Sequence, residues 1–97
     1  MGKYDLTEFQ SEKWLNTIEL HLKWFRKGQV SEYDLTEQIL CPENVVNILT
    51  MLGYQQIDTN DNDNHEVWTT YEHIGTKQKV ILYYCGYTFE IKLIAEE

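Results

Sequence analysis

The chain has 97 residues and a formal net charge of −8, enough for one domain, 1–97, with a single modest core. Its 42% hydrophobic and 25% charged content marks it as globular rather than disordered. No apolar run approaches the roughly 20 residues that span a bilayer. The start, Met1-Gly2-Lys3-Tyr4-Asp5, has no apolar signal-peptide core, and Cys41 and Cys85 make no disulfide framework. A cytoplasmic, reducing compartment is therefore expected.

Residues 5–27 are expected to form a long amphipathic helix. Asp5 has N-cap chemistry, with Glu8 three residues on. Trp14, Leu15, Ile18, Leu22 and Phe25 share one helical face. Leu20 and Trp24 form a second apolar edge, expected to pack under another element. Lys23, Arg26 and Lys27 suit the C-terminal end of the dipole, and Gly28 is the expected C-cap. Tyr4-Asp5-Leu6-Thr7-Glu8 recurs as Tyr33-Asp34-Leu35-Thr36-Glu37. The repeat is read as helix-start chemistry used twice, with a short helix over 35–40. Pro42 then opens a helix over 42–52, with Val45, Val46, Ile48, Leu49 and Leu52 on its apolar side, and Gly53 ends it.

After Gly53 the hydrophobic period changes from helical to alternating. Strands are expected at Tyr54–Thr59, His65–Ile74, Gln78–Tyr84 and Tyr87–Ile94. A two-residue turn at Cys85-Gly86 would pair Tyr84 with Tyr87, Leu82 with Phe89 and Val80 with Ile91. Those residues, with Leu93, Val67, Thr69 and Tyr71, make the face expected to meet the helices. The opposite face is then Trp68, Thr70, Glu72, Ile81, Tyr83, Thr88, Glu90 and Lys92, with Lys79 facing Glu72. Trp68, Ile81 and Tyr83 there form an apolar patch, either a contact surface or a face covered by the N-terminal helix. The expected fold is α+β, with two or three N-terminal helices on one face of a three- to four-stranded antiparallel meander.

The charge is unevenly placed. From Gly28 to Thr76 there is no Lys or Arg, and the same stretch holds Glu32, Asp34, Glu37, Glu43, Asp58, Asp61, Asp63, Glu66 and Glu72. Such a surface repels phosphate backbones, because nucleic-acid affinity comes mainly from cations that release counterions. It attracts a basic protein groove, with fast and salt-sensitive association. The segment from Asp58 to Glu66 alternates Asp and Asn, and Asp58, Asn60 and Asn62 match odd positions of an EF-hand loop. Asp63 stands where that loop needs Gly, and Thr69 where it needs Glu. It reads as a polar hairpin loop or an acidic finger. His21, His65, His73, Cys41 and Cys85 have no zinc-finger spacing. No nucleophile motif or Gly-rich phosphate loop occurs. No cofactor, metal or enzymatic activity is expected.

Residues 35–54, with their short helix, turn and second helix, resemble a winged-helix domain, the likeness running from about 31 to 84. It implies that the second helix enters the major groove and the wing touches the backbone. Here that helix lacks Lys and Arg, Glu43 sits at its leading end, and Asn60–Asn64 would be the wing tip. Such elements suit protein contact rather than DNA. Composition places the chain beside phage and mobile-element proteins that block nucleases or CRISPR effectors: short, acidic and without a catalytic motif. The expectation is a non-enzymatic inhibitor that binds a basic groove of a nucleic-acid-handling protein by imitating phosphate charge. Asp58, Asp61, Asp63 and Glu66 form one acidic patch and Glu32, Asp34, Glu37 and Glu43 a second, with Trp68 and Tyr83 as the apolar anchor. The alternatives are an immunity protein for a basic toxin and a winged-helix-like transcription factor or adaptor. No direct nucleic-acid or membrane partner is expected, and an uncovered Trp68/Tyr83 face would also suit a homodimer.

Overall fold

The structure, a computed structural model, describes residues 8–36, 42–62 and 64–96, with side chains from Lys13 onward. Helix α1 spans Glu8–Arg26. Its end is a Schellman cap: Gly28 N–H donates to Phe25 O at 3.0 Å and Gln29 N–H to Trp24 O at 3.0 Å. Gly28 takes φ 71°, which costs glycine little. Strand β1 is Glu32–Asp34, and helix α2 is Pro42–Met51, with the proline at its first turn. Gly53 closes α2 at φ 94°. A Cβ there would stand 3.0 Å from His73 Nε2, so the backbone favours glycine and the packing leaves little room for more. Strands β2 (Tyr54–Asp61), β3 (Glu66–His73), β4 (Lys79–Cys85) and β5 (Glu90–Glu96) complete the order.

The strands form one antiparallel sheet in the order β1-β5-β4-β3-β2. The fold is α+β as expected, but the sheet has five strands rather than three or four. The fifth is β1, which lies between the helices in sequence. It pairs Tyr33 with Leu93, and its ladder continues through Leu35 N–H to Ile91 O and Ala95 N–H to Ser31 O. Tyr33 and Asp34 therefore belong to a strand, not to a helix start. Asp34 keeps its capping chemistry in a different setting: its Oδ1 accepts from Thr36 N–H at 2.9 Å and from the Thr36 hydroxyl, turning the chain out of the strand. Leu35 and Thr36 are not helical. The rest of the expected 35–40 helix lies outside the described residues. The would-be wing is part of a continuous sheet.

One core joins the layers. Ile18, Leu22 and Phe25 of α1 and Val45, Ile48 and Leu49 of α2 are buried with Tyr71, Val80, Leu82, Ile91 and Leu93. Trp14, Leu15, Val46 and Leu52 pack half-buried at its margin. The second edge of α1 is only partly covered. The His21 ring stacks on Tyr33 at 3.6 Å and meets Trp24 edge-on at 4.8 Å, while Leu20 remains 43% exposed.

The β3–β4 register agrees with the expected one: Val67, Thr69 and Tyr71 pair with Tyr84, Leu82 and Val80, and Glu72 pairs with Lys79. The β4–β5 hairpin differs. Cys85 pairs with Glu90, Tyr84 with Ile91 and Leu82 with Leu93, so the turn is the four-residue Gly86-Tyr87-Thr88-Phe89. The even shift keeps every β5 side chain on its expected face but lifts Tyr87 and Phe89 out of the sheet. They are 74% and 69% exposed. Among the described residues no helix is long and apolar enough to cross a membrane.

Candidate interaction surface

Alternation along the strands assigns each residue to one face. The face away from the helices is built in rows across the sheet. One row runs Asn60, Trp68, Tyr83, Lys92, Asp34. The next runs Asp58, Thr70, Ile81, Ile94, Glu32. Flanking rows add Glu66, Cys85 and Glu90 at one end, and Gln55, Glu72, Lys79 and Glu96 at the other. The centre is thus aromatic and aliphatic: Trp68, Tyr83, Ile81 and Ile94 are each half-buried. Of the alternatives raised by the sequence, the uncovered one holds for the described residues, because both helices give their buried side chains to the opposite face. Acids surround this centre. Asp58, Glu66, Glu72, Glu90, Glu96, Glu32 and Asp34 stand against Lys79 and Lys92.

Specific contacts hold the patch. The Trp68 and Tyr83 rings lie 5.5 Å apart at 45°. The Tyr83 hydroxyl donates to Glu66 Oε2 at 2.7 Å, and Asn62 Nδ2 donates to Glu66 Oε1 at 2.9 Å. The Asn62 amide and the Tyr83 hydroxyl hold the Glu66 carboxyl below its usual range. The same carboxylate raises the Tyr83 hydroxyl. Asn62 Oδ1 also accepts from the backbone N–H of Asn64 and Glu66 at 3.0 and 3.2 Å, an Asx turn that stiffens the β2–β3 loop. The Thr36 hydroxyl, then its amide, keep Asp34 ionised below the ordinary carboxylate range. Lys92 bridges Glu32 at 3.4 Å and Glu90 at 3.9 Å; such exposed pairs contribute about 0–1 kcal/mol each.

The expected site residues separate into groups. Trp68, Tyr83, Glu66 and Asp58 share the outer face. Asp61 pairs with Val67, which places it on the alternate side at the exposed tip of β2. Glu32 and Asp34 lie on the same outer face but at the opposite sheet edge, so the two acidic patches flank one apolar centre. Glu43 is exposed in the first turn of α2, on the helical layer, and does not join them. Asp63 and Glu37 lie outside the described residues.

Sequence reading missed two groups. Ile94 and Glu96 join the surface through the β5 register, beside Glu90, which the alternation had already placed on this face. Tyr87 and Phe89, expected inside the helix-facing sheet surface, project from the β4–β5 turn. That turn sits beside the acidic loop: Gly86 N–H donates to His65 O at 2.9 Å, and the Tyr87 ring meets His65 at 5.1 Å. A two-residue and a four-residue turn satisfy the same alternation, so the pattern carried no signal to separate them.

Cys85 is 5% exposed; hydrogen bonds from Thr88, then Tyr87 and Tyr83, lower its thiol. Cys41 lies outside the described residues. Among the described residues no three His, Cys, Asp or Glu side chains come together to hold a metal ion. No protein-family model, curated protein or solved structure matches the chain.

Proposed function

We propose that this protein is a small non-enzymatic inhibitor that docks the outer face of its sheet into a basic groove of a nucleic-acid-handling protein, of the anti-nuclease or anti-CRISPR kind. It acts in the cytoplasm of a bacterial host. One observation carries the reading: an aromatic and aliphatic centre, Trp68, Tyr83, Ile81 and Ile94, is ringed on its own sheet face by acids from four strands. The acids supply steering and charge complementarity where a phosphate backbone would lie. The centre supplies the desolvated anchor that charge alone lacks.

The test is capture from host lysate at low and moderate salt, with mass spectrometry of the retained proteins. The expected result is a basic nucleic-acid-binding protein, released as salt rises and displaced by added DNA. Reversal of Asp58 and Glu72 (Asp58→Lys with Glu72→Lys) abolishes that capture at moderate salt. Asp61→Lys, on the alternate side of β2, weakens it less. Retention of DNA itself, or capture indifferent to the outer-face reversal, would overturn the proposal. A toxin as the captured protein would replace it with the immunity reading.

A further inference from the structure

At the end of the sheet opposite the acidic loop lies an open cleft of about 640 Å³. Four cations line it: Arg26 and Lys27 from the end of α1, Lys77 from the β3–β4 connection and Lys79 from the start of β4. These are half of the eight bases of a chain with net charge −8. Among the described residues Glu96 is the acid lining it, beside the apolar Phe25, Val30 and Ala95. Lys23 lies in the adjoining hollow, which also includes Arg26.

The helix dipole accounts for Lys23, Arg26 and Lys27. It does not account for Lys77 and Lys79, which come from another element. The end of α1 is partly capped. The carbonyls of Lys23, Trp24 and Phe25 are already occupied by the N–H groups of Lys27, Gln29 and Gly28. Gln78 ties the two walls together. Its Oε1 accepts from Arg26 Nη1 at 2.9 Å and from the Tyr54 hydroxyl at 2.7 Å, and its Nε2 donates to Leu22 O at 3.0 Å. The turn that carries Lys77 is further fixed by His73, whose Nδ1 accepts from Gly75 and Thr76 N–H at 3.0 and 2.9 Å. Lys77 itself is held at φ 65°, a conformation disfavoured for lysine.

We infer that this cleft is a binding site for a small anion carrying two or more phosphates. Four cations lining a concave site match such a ligand by charge and by hydrogen-bond donors. The cleft volume lies within the ordinary range for small-molecule sites. The cleft shares Lys79 and Glu96 with the margin of the outer face, but its other lining residues lie off that face, so the inference does not rest on the proposed function.

The probes are pyrophosphate, ADP and adenosine, titrated into the full-length protein by two-dimensional NMR of the backbone amides. Pyrophosphate and ADP are expected to shift amides of residues 26–31 and 77–79 saturably, and adenosine is not. The double variant Lys27→Ser with Lys77→Asn weakens binding about tenfold; asparagine tolerates the left-handed backbone, so the turn is kept. Lys77→Arg retains binding, and so do Lys13→Ser, elsewhere on α1, and Trp68→Ala on the outer face. No saturable shift, equal weakening by Lys13→Ser, or adenosine matching ADP would overturn the inference.

Discussion

The two faces of the sheet are made from the same strands and similar side chains, yet they do different things. On the helix side, Val80, Leu82, Ile91 and Leu93 are 0–4% exposed and form the core with α1 and α2. On the outer side, their sequence neighbours Ile81, Tyr83, Lys92 and Ile94 stay half-buried in a rim of carboxylates. A residue's contribution is set by what covers it, not by its hydrophobicity. The first face supports stability, and the second is the one that the proposed function assigns to recognition.

Truncation should expose that contrast most strongly. Leu82→Ala or Leu93→Ala should lower stability by about 2–5 kcal/mol, because a dry cavity is left. Ile81→Ala, one residue away, should cost about 1 kcal/mol. Chemical denaturation of the three variants measures both, and equal losses would mean that the outer face is covered in solution. Trp68→Ala should behave in the reverse sense. It should weaken partner binding by about 2 kcal/mol, as an anchor does, with less loss of stability than Leu82→Ala; calorimetry on the captured partner decides it.

A smaller effect tests the turn that separates the faces. Phe89 is 69% exposed at φ 60°, so Phe89→Gly should raise stability by about 1 kcal/mol through relief of the left-handed strain. A loss of stability instead would show that the ring makes contacts worth more than the strain.

The last prediction concerns acid titration. Glu66 is lowered in the folded state, so its contribution is fully present above its unfolded value and is lost as pH falls through the folded one. Tyr83 is raised, so its contribution is lost only at strongly alkaline pH. Tyr83→Phe removes a hydrogen bond that lowers Glu66 and should make the acid limb of the stability profile shallower. An unchanged acid limb would remove Glu66 from the account.

Much of the site was legible before the fold. Trp68, Ile81 and Tyr83 alternate with core residues, and a period of two forces them onto one face whatever the turn. Glu72 and Lys79 paired as the even-length β3–β4 connection requires. Tyr87 and Phe89 were misplaced because alternation cannot distinguish turns differing by two residues. The strand that carries Glu32 and Asp34 was hidden, because the repeat that begins at Tyr33 has a chemistry that fits both a helix cap and an Asx turn. Three residues are too short a strand to announce themselves by periodicity.

The amino-acid order alone determined the two faces, the helix ends at Gly28 and Gly53, and the absence of bases from residues 28–76. These follow from local geometry, side-chain alternation and simple counting. The tertiary structure decided which charges become neighbours. It joined β1 to β5, which brought Glu32 and Asp34 to the rim that Asp58 and Glu66 begin. It also folded the β3–β4 turn back to α1, which gathered Arg26, Lys27, Lys77 and Lys79 around one cleft. Pairing between strands distant in sequence is fixed by burial of the shared face, and no local pattern encodes which strand lies next to which.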